Sequence, residues 1–343
     1  MPFIKDILKH RSLAVAGMEK NTGKTECLNY ILERIESKTL KIAVTSIGVD
    51  GESTDIVTST SKPEIIIKEG IYYATAEKFF KTRELVSEIV DLDYYSTAAG
   101  RVVTSLAHSA GKVILAGPSE SSALKSWMNR LGRERGIEHF IVDGALSRVS
   151  QASPAICDAL ILATGAALSI SVNTLVSKTI HLTELIKLPA TESLSETKAD
   201  NLPNGIYSIN GSEVVTLFSG SVFNIDGESL RKIAKESSIY LCGVLSDRFI
   251  ERVKCLKEIN IKNLIIKDFT RIFLSPENMI WLDHIGIRLE VVKSSNLLAI
   301  CVNPVSPSGY TLDSAQVCDL IAERSGIAVY DIYRLRDEIK KCY

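Results

Sequence analysis

The sequence predicts an α/β protein: a parallel sheet with helices on both faces over residues 1–188, a linker at 189–205, and a second, smaller α/β domain over 206–343. Three observations predict it. Residues 12–35 pass from a short apolar run through a glycine-bearing loop into helical spacing. Farther on, short apolar runs alternate with helix-length amphipathic stretches, the order that builds parallel sheets. The stretch Pro189-Ala-Thr-Glu-Ser-Leu-Ser-Glu-Thr-Lys-Ala-Asp-Asn-Leu-Pro-Asn-Gly205 is polar, proline-flanked and aperiodic, as linkers are. At 343 residues the chain is long enough for two cores.

Residues 1–11 read as a short lead-in helix and Leu13–Ala16 as a strand buried on both faces. The run breaks at Gly17-Met-Glu-Lys-Asn-Thr-Gly-Lys-Thr25 and resumes with Leu28, Ile31, Leu32 and Ile35 at helical spacing. Strand, glycine-bearing loop, Gly-Lys-Thr and helix together form a phosphate-binding P-loop. The order follows from chemistry: unpaired amides at a helix start and the positive end of its dipole receive a polyanion. Gly17, Lys20, Asn21, Thr22, Gly23, Lys24 and Thr25 are the candidate ATP-binding residues, with Lys24 reaching the β- and γ-phosphates and Thr25 offering a hydroxyl to magnesium. One departure stands out. The usual spacing sets the first glycine six residues before the lysine, where this chain has Met18; Gly17 stands seven before. That longer loop resembles the dethiobiotin-synthetase and cobyric-acid-synthase branch of P-loop proteins more than Ras-like GTPases. The fold class expected is therefore a P-loop NTPase.

Lys41–Ser46 reads as the second strand, followed by a polar loop carrying Asp50, Glu52 and Asp55. Ligands of open parallel sheets bind at that strand end, which makes Asp50 a candidate catalytic residue and metal ligand. An ordinary Asp-Gly turn accounts for it as well. Residues 64–75 read as a hairpin turning at Glu69-Gly70, residues 77–89 as a helix, and 101–106 and 112–116 as strands. Gly117-Pro-Ser-Glu-Ser-Ser122 opens a helix with good capping residues. Phe140-Ile-Val-Asp143-Gly144 is an apolar strand ending in a carboxylate, the pattern that holds magnesium downstream of a P-loop, so Asp143 joins Thr25 and Asp50 as a metal candidate. Arg148 lies just beyond. Asp158–Gly165 is another strand, whose Thr164 and Gly165 lie where a base or ribose would be met, and Ser171–Leu188 closes the domain as a helix.

Beyond the linker, strands are expected at 206–222 (turning at Asn210-Gly211), 239–245, 264–267, 273–274, 288–292, 297–302 and 328–332, and helices at 228–236, 247–258, 276–284 and 314–324. Ile225-Asp-Gly-Glu-Ser229 echoes Val49-Asp-Gly-Glu-Ser53, but its Asp226 and Ser229 read as helix-capping residues. Asn303-Pro-Val-Ser-Pro-Ser-Gly-Tyr310 is a strand-terminal loop stiffened by prolines. It is a site or a structural turn ahead of a helix capped by Asp313.

Composition narrows the function. A formal net charge of −1 gives no basic field for nucleic acid, and no Lys/Arg block suggests an anionic membrane surface. Seven scattered cysteines without a C-x-x-C pair point to reduced thiols, and the five dispersed histidines lack metal-ligand spacing. No signal peptide is visible, and Ala159–Ile170 is too short to span a bilayer, so a cytoplasmic location is expected. The absence of Asn-Lys-x-Asp favours ATP over GTP.

Five blocks together resemble the P-loop subunit of the lysine 5,6-aminomutase reactivase: Gly17–Thr25, Thr45-Ser-Ile-Gly-Val-Asp-Gly-Glu52, Ile141-Val-Asp-Gly-Ala145, Leu162-Ala-Thr-Gly165 and Asn303–Tyr310. The resemblance runs from about Leu13 to Ile332. It implies an ATP-driven accessory protein of lysine-fermenting bacteria that reactivates an adenosylcobalamin-dependent aminomutase by driving release of damaged cofactor, beside a MutS-like ATPase subunit. Base-off cobalamin binding needs Asp-x-His-x-x-Gly, whereas this chain has Asp283-His-Ile-Gly286, so no resident cobalamin is expected. The alternative is a dethiobiotin-synthetase-like enzyme that phosphorylates a small carboxylate or carbamate. Val142-Asp-Gly-Ala145 resembles the Val-Glu-Gly-Ala of those enzymes.

Overall fold

A computed structural model describes residues 3–36, 39–47, 64–97, 99–145 and 156–335. The chain forms two compact units. One contains the residues up to Ile180 together with those from Asn296 onward; the other contains His181–Ser295.

In chain order the elements are α1 (Ile4–Ile7), β1 (Ser12–Gly17), α2 (Lys24–Arg34), β2 (Ile42–Ser46), β3 (Ile65–Ile67), β4 (Tyr72–Ala76), α3 (Glu77–Phe80), β5 (Ser87–Thr97), β6 (Gly100–Ala107), β7 (Gly111–Val113), α4 (Ser121–Arg135), β8 (His139–Ala145), β9 (Ala159–Gly165) and α5 (Val172–Ile186). There follow α6 (Glu196–Asp200), β10 (Gly205–Asn210), β11 (Glu213–Ser219), α7 (Gly227–Ile233), β12 (Ser238–Cys242), β13 (Leu245–Ser246), α8 (Asp247–Lys254), β14 (Asn263–Ile266), β15 (Ile272–Phe273), α9 (Pro276–His284) and β16 (Arg288–Val291). The chain then returns to the first unit as β17 (Leu297–Asn303), α10 (Ser314–Ser325) and β18 (Val329–Asp331).

The first unit is mixed α/β around a nine-stranded sheet, ordered β18-β17-β9-β1-β8-β2-β4-β6-β5. From β18 to β4 all neighbours pair in parallel, and β6 is antiparallel to both β4 and β5. β1 lies near the centre, and every one of its residues is buried, which the apolar run Leu13–Ala16 permits while the Ser12 hydroxyl donates to Asp158 Oδ2 at 2.9 Å. α2 buries Cys27, Leu28, Tyr30, Ile31 and Leu32 in a core shared with Val15, Val44, Ile161 and Cys301. Trp127 of α4 is fully buried, and its indole N–H donates to Thr104 Oγ1 at 2.9 Å, so burial leaves no donor unmet. The second unit carries a five-stranded sheet, β11-β10-β12-β14-β16, with β12, β14 and β16 parallel. Among the described residues no helix is long and apolar enough to cross a membrane, and no disulfide forms.

Several expectations are corrected. Residues 189–205 are no linker: Ala190 bridges Val291, Ser195 caps α6, and Leu194 and Ala199 enter the second unit's core. The polar surface hid two anchor residues on either side of the helix cap: Leu194 just before Ser195, and Ala199 within α6. Nor does 206–343 form a domain. β17 pairs with β9 from Leu297↔Leu160 to Asn303↔Gly165, so β17, α10 and β18 complete the first sheet. The helix expected over 77–89 stops at Phe80, and β5 begins at Ser87. Its β-branched and aromatic residues favour a strand, and Gly100, at φ 102°, allows the reversal into β6. The expected hairpin at 64–75 is not one. A turn does form at Gly70 (φ 85°), but β3 pairs with β7 while β4 pairs with β2 and β6. At the start of α4, Glu120 makes no side-chain cap bond.

Candidate functional site

β1, β2, β8, β9 and β17 run parallel, so their carboxyl ends share the sheet edge from which the loop between β1 and α2 leaves. At its start Met18 N–H donates to Ala163 O at 2.9 Å, which steers the chain along β9. Gly17 is where the loop closes on itself. A Cβ there would lie 2.8 Å from Thr22 Oγ1 and 3.4 Å from Lys24 Cβ, so a side chain would open the curl. Thr22, buried, donates its hydroxyl to Glu19 O at 2.8 Å and fastens the curl from inside. Asn21 (φ 62°) and Gly23 (φ 87°) both take left-handed backbone conformations, which turns the chain tightly before α2. Lys20 and Asn21 are exposed, and Lys24 and Thr25 half-buried. Gly23 precedes α2 without a side-chain cap, so no side-chain acceptor from that position takes the first amides of the helix.

Asp143, near the carboxyl end of β8, stands in register with Val15 of β1 and Ser46 of β2. Its Oδ1 is 3.1 Å from Lys24 Nζ, and the two side chains are 10% and 18% exposed. A lysine from the first turn of α2 and an acid from the neighbouring strand therefore meet at the same sheet edge. The backbone fixes that acid further, since Ile47 N–H donates to Asp143 O at 3.1 Å. Asp50, with Glu52, Asp55 and Arg148, lies outside the described residues.

Two expected residues turn inward. Thr164 is fully buried with its hydroxyl 3.0 Å from Thr179 Oγ1, and Gly165 packs beneath Asn303, where a Cβ would lie 2.2 Å from the Asn303 carbonyl oxygen. Both are buried, and β17 pairs alongside the strand end they occupy.

Asn303 is the residue that sequence reasoning did not bring to the site. Its Nδ2 donates to Asn21 O at 3.2 Å, and a Cβ on Gly23 would lie 2.8 Å from its own Cβ. The proline-stiffened loop after it was visible as a motif; the signal missing was that β17 borders β9. One strand turn earlier, Cys301 Sγ lies 3.5 Å from Cys27 Sγ of α2, both buried. The hydrogen bond to Cys301 and burial together push the Cys27 thiol well above its ordinary range, so Cys27 serves as packing.

Among the described residues no group of three or more His, Cys, Asp or Glu side chains is arranged to hold a metal ion. The chain matches no protein-family model, no curated protein and no solved structure.

Proposed function

We propose that the chain is a P-loop NTPase that uses Mg-ATP to reactivate an adenosylcobalamin-dependent aminomutase of the lysine 5,6-aminomutase type, driving release of damaged cofactor. The observation that carries the nucleotide part is the 3.1 Å pairing of Lys24 with Asp143 beside a glycine-closed loop at a helix start. The aminomutase, the MutS-like companion subunit and the cytoplasmic location come from the five sequence blocks and composition. The partner-binding role expected of the carboxyl-terminal domain over 206–343 would then fall to the second unit, which holds residues 206–295 of it.

The residues present fit both ligands. The curl at Gly17 leaves no space for a Cβ, as expected of a loop whose backbone closes around phosphate. Magnesium prefers one or two carboxylates plus substrate phosphates and water over an all-protein cage, which suits Thr25 with Asp143 and the lack of a larger acidic cluster among the described residues. Backbone N–H groups of Asn21–Thr25 would receive the phosphates, with Lys20 at the exposed rim. Lys24 would leave Asp143 for the β- and γ-phosphates, so the ion pair exchanges one partner for two stronger ones. Thr25 and Asp143 would hold the metal, with Asp50 a further ligand or the group that orients water. When bound, magnesium neutralises charge on the phosphate oxygens. ATP moves a partner only through differential affinity for two states.

Lys24→Ala is expected to weaken Mg-ATP binding about 100-fold, roughly 2.8 kcal/mol, by titration calorimetry; unchanged affinity would refute the assignment. The second reading, a dethiobiotin-synthetase-like enzyme, is favoured by the seven-residue separation of Gly17 and Lys24. Hydrolysis stimulated by an aminomutase supports the reactivase, and hydrolysis stimulated by small carboxylates supports the enzyme.

A further inference from the structure

We propose that Asn303 is a positioning residue, a clasp that holds the 18–23 loop in its phosphate-receiving shape. The purpose of the clasp rests on the nucleotide reading above; the clasp itself does not. The loop turns through two left-handed residues, Asn21 (φ 62°) and Gly23 (φ 87°), residue types that enter and leave that region at low cost, so a single loop shape needs support from outside. Asn303 supplies that support at two points. Its Nδ2 donates to Asn21 O at 3.2 Å, and its Cβ fills the space a side chain at Gly23 would need, 2.8 Å from that ideal Cβ. The two points are the loop's two left-handed residues.

The clasp is itself rigid. Asn303 Oδ1 accepts from Val305 N–H at 2.9 Å, and its backbone oxygen accepts from Ala166 N–H at 2.8 Å. The residue is 7% exposed, and Pro304 fixes the backbone that follows. Tyr310 at the far end of its loop donates to Ala166 O, tying that loop to the end of β9. Asn303 thus projects from β17, which pairs with β9, which pairs with β1, where the clasped loop begins. The donor stands on the sheet and the acceptor on a loop that springs from the same sheet, so the loop is set before any ligand arrives and less ordering opposes binding. The amide oxygen and one amide N–H are already engaged within the protein, which suits a group that shapes the loop and does not itself bond the ligand.

The test uses the full chain with Asn303→Asp, which keeps volume and the acceptor for Val305 but cannot donate to Asn21, and Asn303→Ala, which removes the donor and the acceptor while leaving the Cβ beside Gly23. Hydrogen exchange on the ligand-free proteins judges the clasp directly. Amides of residues 18–24 should exchange about tenfold faster in both variants while those of Leu28–Leu32 and β9 keep their protection. Unchanged exchange at the loop, or a rise spread equally through α2 and β9, overturns the proposal. Calorimetry with Mg-ATP and with magnesium tripolyphosphate, which has no nucleoside, then judges the role. A shaped phosphate loop predicts equal weakening for both ligands, about tenfold. Weakening for ATP alone makes Asn303 a nucleoside contact and overturns the proposal. If the wild-type protein binds neither ligand, the nucleotide reading fails, and the exchange result still decides whether the clasp exists.

Discussion

Gly165 closes β9 where no other residue fits. A Cβ there would stand 2.2 Å from the Asn303 carbonyl oxygen and 2.9 Å from the Asn303 Cβ, both on a hydrogen-bonded strand end with little freedom to retreat. Gly165→Ala is therefore expected to destabilise the protein by about 1–3 kcal/mol, read as a lower urea midpoint at unchanged slope. Gly117 is similar: its Cβ would meet Thr45 Oγ1 at 2.1 Å and Ser46 O at 2.3 Å. In the sequence both look like turn residues, and Gly117 like the approach to a helix cap. Their common cause is close approach of chain distant in sequence, which leaves no local trace. Lys24 and Asp143 differ, because each carries its own motif, a Gly-Lys-Thr at a helix start and a strand ending in acid. That is why both were legible, although only the fold brings them to 3.1 Å.

Among the elements, α7 shows local chemistry that the sequence does specify. Asp226 accepts from the N–H groups of Glu228 and Ser229 and from the Ser229 hydroxyl. The bonds from Ser229 chiefly, with that from Glu228, hold its carboxyl down at about 2 against the ordinary 3.8. A depressed carboxylate stabilises the fold above its unfolded value and loses that contribution as pH falls through its folded one. Wild-type protein should therefore lose stability between the ordinary 3.8 and about 2, and Asp226→Asn, still a good cap, should flatten that limb in acid-unfolding curves. α4 is pinned by tertiary chemistry. Arg130 Nη2 lies 2.7 Å from Asp91 Oδ2 and 3.0 Å from Asp93 Oδ2, and Asp93 is 2% exposed. Arg130→Ala would strip the cation from a buried acid and is expected to cost about 3 kcal/mol by denaturant unfolding. Both acids lie in β5, whose first residues were expected to be helical. A strand at the sheet margin alternates imperfectly, and a register shift between Ile89 and Asp91 breaks the period further.

For the molecule as a whole, the decisive fact is that chain after Asn296 returns to the first unit. A fragment ending at residue 188, the boundary that composition suggests, would leave β9 without β17 and expose the edge of Leu160, Ile161 and Leu162. That fragment is expected to aggregate in gel filtration and to lack a cooperative melting transition; a soluble, cooperatively folding fragment would contradict the discontinuous unit. The sequence by itself determined the α/β class, most element types and the glycine-bearing turn at Gly17–Thr25 between β1 and α2, because period, capping residues and turn glycines act within a few residues. Only the tertiary structure decided which strands are neighbours, that 189–205 is folded chain, and that Asn303 meets Asn21. Apolar strands of similar composition pair about equally well in isolation, so the choice among them rests on burying a whole sheet at once, and no short stretch of sequence encodes that sum.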